Sequence, residues 1–298
     1  LVSLFYFQFF KIYVFIYTNL KTINVMAEMA NVENLQSQPV SAPPKREFEF
    51  PTETIELPSQ GLVYPEGHPL RKGSVELKYM TAREEDILAS QNLIKKGVVL
   101  DRLFESVVVE PGINCEDIYT GDKNAILLAT RILGYGADYA VEITDPFSGE
   151  KQEVTIDLSA IQTKEVDFSK LNSKNRYEFT LPSNGKNIEF KLLTHKDEVD
   201  IAKEIQALER LNKNSALASD VTTRFRYMIT AVDGNSDRGF INRWVQNNFL
   251  ARDTKAFRTY VKDISPDMDM RFVFTSEITG ESEALDIPFG INFFYPTN

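Results

Sequence analysis

The chain has 298 residues, 43% hydrophobic and 26% charged, a globular balance with enough length for one large or two ordinary domains. Its formal charge of −10 disfavours nucleic acid as a partner, because such a surface repels phosphate backbones. A single cysteine, Cys115, excludes an intrachain disulfide and a Cys-rich metal site.

Residues 1–25, LVSLFYFQFFKIYVFIYTNLKTINV, are apolar but interrupted by Gln8 and Lys11. They fall short of the roughly 18 uninterrupted residues of a membrane span and lack the small-residue cleavage pattern of a signal peptide. Phe, Tyr, Ile, Leu, Lys and Asn, whose codons are AT-rich, dominate the segment. It therefore reads as a non-native upstream extension, with Met26 or Met29 as the first residue and a membrane anchor as the rival reading. Residues 26–50 read as a flexible arm: ANVENLQSQPVSAPPKRE, 30–47, is polar, holds three prolines and has no periodicity. Ordered structure is expected from about Phe48.

The next elements occur twice. LPSQG at 57–61 matches LPSNG at 181–185, and VELKYMTAREEDIL at 75–88 matches IEFKLLTHKDEVDI at 188–201. Each alternating strand runs into a threonine with an acid three residues on, Thr81 with Glu84 and Thr194 with Asp197, the spacing of a capping box that opens a helix. In the first copy, helices are expected over EEDILASQNLIKKG, ending at Gly97, over VVLDRLFESVVV, whose valines leave a strand open, and over NAILLATRILGYG, ended by Gly134 and Gly136. In the second they are expected over DEVDIAKEIQALERLNKN, VTTRFRYMITAVDG, GFINRWVQNNFL and TKAFRTYVKDI. Residues 121–144 align without gaps to 252–275, each a helix leading into a strand. Both copies then make a hairpin: VEITDPFSGEKQEVTIDL at 141–158, and FVFTSEITGESEALDIPF at 272–289. The expected fold is α+β, with two tandem, internally duplicated lobes at 51–165 and 166–298, each with β-hairpins packed against several helices.

Three of these stretches carry a resemblance: LPSQGLVYPEGHPLRKGSVELKYMTAREEDIL, GDKNAILLATRILGYGADYAVEIT and PDMDMRFVFTSEITGESEALDIPFGINFFYP. Together they resemble the T-even-like bacteriophage baseplate proteins, a family of hub and hub-assembly proteins. The resemblance covers most of 51–298, and IPFGINFFYP is its most specific part. It implies a non-enzymatic part of the contractile-tail machine: a hub component, or a transient assembly chaperone absent from the finished virion. Its partners would be other hub or tape-measure proteins. Its place would be the virion tail baseplate or the host cytoplasm during assembly, with no membrane partner. Relatives of this kind often carry Cys-x-x-Cys-Gly in the hairpin turns, which in pairs make a tetrahedral zinc site. Here the matching positions are Asp145, Ser148, Ser276 and Thr279, each pair followed by glycine, so the resemblance implies degenerate zinc knuckles. Three hydroxyls and one carboxylate are a poor zinc set. No metal and no cofactor is expected.

Other candidates lack a complete motif. Asp233, Asn235 and Asp237 begin like a calcium loop, but Arg238 and Trp244 stand where Gly and a bidentate Glu are needed, so a turn is expected. Asp267 and Asp269 beside Pro266 could chelate magnesium, or simply turn the chain from helix to strand. His68 and His195 have no Ser, Cys or acid at a triad spacing, and no catalytic constellation is expected. The terminal aromatics Phe293, Phe294 and Tyr295 are candidates for partner binding, since clustered aromatics anchor interfaces. The competing reading packs them on the protein's own sheet. An enzyme or metal-binding protein unrelated to phage tails is the alternative of another class.

Overall fold

Ser74–Lys78 (β2), SVELK, alternates polar and apolar residues and pairs antiparallel with the mostly polar, β-branched Thr52–Glu56 (β1), so that Ile55 faces Val75. A computed structural model describes residues 51–211, 220–288 and 290–294. Residues 1–25, expected as an upstream extension, residues 26–50, expected as an arm, and Tyr295 lie outside the described residues. After β2 the Thr81 hydroxyl accepts the Arg83 amide, while the Glu84 carboxylate takes both the amide and the hydroxyl of Thr81 at 2.8 and 2.7 Å. That capping opens α1, Ala82–Ala89.

The helix expected to run unbroken to Gly97 divides at Ser90, whose extended backbone re-aims the chain into α2, Gln91–Lys96. Next comes α3, Val99–Val107, which buries Val99, Leu103, Phe104 and Val107 at helical spacing. Its apolar stripe settles the helix-or-strand ambiguity over this valine-rich run, and Val108 then bridges to Leu77. The next helix, α4, Thr120–Tyr135, is buried nearly all round and is central to the fold. Gly134 lies inside it and Gly136 follows it.

The hairpin of β3, Asp138–Thr144, and β4, Lys151–Asp157, completes the first half. The second half opens with β5, Tyr177–Thr180, and β6, Asn187–Phe190, followed by α5, His195–Leu211. The helix expected over 221–234 is half strand: α6 spans Asp220–Met228, and β7, Ile229–Val232, pairs with β6 in a three-stranded sheet ordered β5-β6-β7. Ile229, Thr230 and Val232 are β-branched, and pairing with β6 overrides helical continuation. The remaining elements are α7, Arg238–Asn247, α8, Ala251–Ile264, and the hairpin of β8, Arg271–Thr275, with β9, Ser282–Asp286. The architecture is α+β.

Equivalent contacts recur at the positions aligned in the two halves. Lys78 holds Glu84 at 2.7 Å as Lys191 holds Asp197 at 2.7 Å, each acid also taking the amide of its cap threonine. Ser59 clamps Asp122 with its amide and hydroxyl at 2.9 and 2.6 Å, and Ser183 clamps Asp253 in the same way at 3.0 and 2.5 Å. Thr144 opposite Lys151 has its counterpart in Thr275 opposite Ser282. The halves do not carry separate cores: buried residues of both form one hydrophobic cluster. The strip 118–120 joins 193–195, with Thr120 donating to the Leu193 carbonyl at 3.3 Å and His195 to that of Ile118 at 2.8 Å.

Candidate functional site

The two hairpin turns, 131 residues apart, meet. In each turn the glycine supplies the positive φ, 78° at Gly149 and 73° at Gly280, and its amide returns to the carbonyl at the turn's start, Asp145 or Ser276. Asp145 is the joint between them. Its Oδ2 accepts the Ser148 hydroxyl at 2.7 Å and the Ser276 hydroxyl at 2.6 Å, and its Oδ1 accepts the Phe147 and Ser148 amides at 2.8 and 3.3 Å. Ser276 Oγ in turn accepts the amides of Ile278 and Thr279 at 3.2 and 3.0 Å. Gln152 adds a second bridge, donating to the Thr275 carbonyl and accepting the Glu277 amide.

Burial pushes the Asp145 carboxyl up, but hydrogen bonds from Ser276, Ser148 and the two amides outweigh this and hold it below the ordinary carboxylate value. The four positions do not fit zinc. A carboxylate whose oxygens already take four hydrogen bonds, beside hydroxyls engaged in the same network, leaves no free donor set. The turns hold each other. At equivalent places they also expose Phe147, 37% accessible, and Ile278, 64% accessible, with Val273 on β8 open at 73%.

A second cluster was not legible as a motif. Asp101 on α3, Cys115 in the short 3₁₀ turn Cys115–Asp117 and His195 at the start of α5 converge at a cleft of about 650 Å³, with the buried Lys123 of α4 behind them. Asp101 Oδ1 lies 2.6 Å from Lys123 Nζ, 2.7 Å from His195 Nε2 and 3.8 Å from Cys115 Sγ, and Lys123 Nζ lies 2.8 Å from His195 Nε2. No Ser, Cys or acid stands at a triad spacing from His195 in the sequence, and the fold brings Cys115 and Asp101 beside it across chain separations of 80 and 94 residues. Burial pushes the Asp101 carboxyl up, yet His195 and Lys123 bring it down to about 2. Burial pushes the Cys115 thiol up to about 12, so it is protonated at neutral pH and is a weak nucleophile.

The other candidates have structural work. His68 caps a 3₁₀ turn by accepting the Leu70 amide on Nδ1, and stacks on Tyr64 at 4.7 Å. Asp233 takes Lys186 and the Asn187 amide, and Asp237 caps α7, so the calcium-like loop is a strand-to-helix turn. Asp267 accepts Asn124, and Asp269 pairs with Arg271 through two contacts of 2.6 Å.

Phe293 and Phe294 are fully buried. Their proposed place in a partner-binding surface is corrected: α4 presents Arg131, whose Nε donates to the Phe293 carbonyl at 2.9 Å, and Tyr139 meets the Phe293 ring edge-on at 5.0 Å. Among the described residues, no helix is long and apolar enough to cross a membrane. No protein-family model, no curated protein and no solved structure matches this chain.

Proposed function

We propose that this chain is a non-enzymatic protein of a contractile phage tail, a baseplate hub component or a factor that assembles the hub, acting through protein–protein contacts. One observation carries the reading beyond the sequence resemblance. The hairpin turns that match the family's paired knuckles face each other, joined through Asp145 and Ser276. The hydrogen-bonded joint takes the mechanical role a shared metal would have, and it leaves Phe147, Val273 and Ile278 in solvent on the joined hairpins. With Phe293 and Phe294 in the core, these side chains, among the exposed large hydrophobics of the described residues, are the ones this reading offers to a hub or tape-measure protein.

Quantitative mass spectrometry of purified virions and of infected-cell lysate tests the reading. Stoichiometric peptides in virions identify a component. Peptides in the lysate alone, co-purifying with hub or tape-measure protein, identify the assembly factor. Presence in the lysate with no tail protein bound, and absence from virions, would reject both.

A further inference from the structure

We propose that Asp101, Cys115 and His195 form a site for one divalent metal ion of the zinc class, with Lys123 as the resident cation that the metal displaces. The three donor atoms come from three different elements and all lie within 4.8 Å of one another. Donors around a tetrahedral zinc at 2.0–2.3 Å stand roughly 3.3–3.7 Å apart, so small side-chain shifts on fixed backbones suffice. Those backbones are held: Asn114 caps the turn of Cys115 by accepting the Glu116 amide, and His195 donates its own amide to the Ile118 carbonyl. One sulfur, one imidazole nitrogen and one carboxylate oxygen suit zinc or cobalt, and do not suit calcium or magnesium.

A second observation points to a cation other than an ammonium. Asp101 Oδ1, Lys123 Nζ and His195 Nε2 form a triangle with sides of 2.6, 2.7 and 2.8 Å. Protons cannot satisfy all three sides. If Nε2 carries hydrogen it donates to Asp101, and then faces the ammonium donor to donor. If Nε2 is bare it accepts from Lys123, and then faces the carboxylate lone pair to lone pair. A metal ion within the cluster would be met by a lone pair from each of Asp101, His195 and Cys115, which removes the conflict. The cleft supplies an entry path and a fourth position for water. On binding, metal–oxygen, metal–nitrogen and metal–sulfur bonds form, the Cys115 thiol proton leaves to solvent, and Lys123 withdraws as an ammonium.

Cobalt(II) titration of the full chain tests the site, followed by displacement with zinc(II). Cys115 is the only cysteine, so a thiolate-to-cobalt charge-transfer band can arise nowhere else in the chain. One cobalt per chain with that band is expected, bleached by zinc, absent in Cys115→Ser and weakened more than about tenfold in His195→Gln. Lys123→Met removes the competing charge and should tighten binding by more than about tenfold. If that variant fails to fold, Cys115→Ser and His195→Gln decide the matter with thermal melts as the folding control. A folded wild-type chain without the band in millimolar cobalt overturns the proposal, as does binding that His195→Gln leaves unchanged.

Discussion

Replacing Phe293 with alanine separates a core terminus from a docking terminus. The ring is fully buried, meets Tyr139 at 5.0 Å and Phe294 at 5.6 Å, and sits beside the buried Arg131. The Arg131 guanidinium is satisfied by the carbonyls of Phe293, Gly136 and Asp138 at 2.9, 2.9 and 3.3 Å. The substitution keeps the Phe293 carbonyl but empties a fully packed site, which for phenylalanine costs about 3–5 kcal/mol. That is a large share of the roughly 5–15 kcal/mol that holds a folded unit together. At about 2–4 °C per kcal/mol for a unit of this size, the melting temperature should fall by roughly 6–20 °C. Urea denaturation should show a lower midpoint with an unchanged slope. Phe147→Ala is the paired control. The residue is 37% accessible at a hairpin tip, and its loss should cost less than about 1 kcal/mol and, on the proposed function, weaken capture of a hub or tape-measure partner. A Phe293→Ala chain that melts within about 1 kcal/mol of wild type would refute the packing argument.

Other perturbations follow from the same contacts. Burial pushes the Asp122 carboxyl up to about 6 despite hydrogen bonds from Ser59 and Tyr64. With its folded value raised above the ordinary 3.8, the stability it contributes is full below about pH 4 and lost as pH rises through 6. Asp122→Asn should flatten that part of the stability profile in melts from pH 3.5 to 7, and an unchanged slope would exclude Asp122 as its source. Glu84 has the opposite sign: burial raises its carboxyl, but Lys78, Ser106 and Thr81 bring it down to about 2. Its contribution is present above about 4.5 and lost as pH falls toward 2, so Glu84→Gln should be less acid-sensitive than wild type in that window. Asp145→Ala removes the joint between the hairpins and should speed amide hydrogen exchange at Phe147 and Ser148; unchanged protection there would show that Gln152 alone holds the tips. Gly121→Ala would place a Cβ 2.1 Å from the Pro266 carbonyl oxygen, so denaturation should show a loss of about 1–3 kcal/mol from forced backbone movement.

What was legible in the sequence is what repeats locally. Alternation marked β2 and β6, and a threonine with an acid three residues on marked the starts of α1 and α5, where Glu84 and Asp197 do bind back to Thr81 and Thr194. The equal spacing of the hairpins carried their register across the two halves. Ser90 offered no Gly or Pro to announce a break, and ITAV at 229–232 became a strand only because β6 lies beside it. Those outcomes are set by tertiary neighbours, which periodicity does not encode. The candidate site was hidden for the same reason: no spacing rule links Asp101, Cys115, Lys123 and His195.

Helix α4 explains why these distant features belong together. A helix buried nearly all round must satisfy every charge it carries, and α4 carries Asp122, Lys123 and Arg131 in the interior. Each charge draws in a different part of the chain. Asp122 fixes Ser59 and Tyr64 of the first loop, Lys123 gathers Asp101 and His195, and Arg131 fastens the chain end at Phe293. The counterpart helix α8 keeps the first of these, with Asp253 on Ser183, but has Thr254 at the place of Lys123 and Lys262 at the place of Arg131. The serine clamp is thus common to both halves and structural. Among the described residues, the Lys123 cluster and the Arg131 anchor are found on the first half's helix. A contact that one half makes and the aligned positions of the other do not is where a function particular to this chain should be sought. The cluster of Asp101, Cys115 and His195 meets that condition, since it gathers around Lys123, whose place in α8 is taken by Thr254.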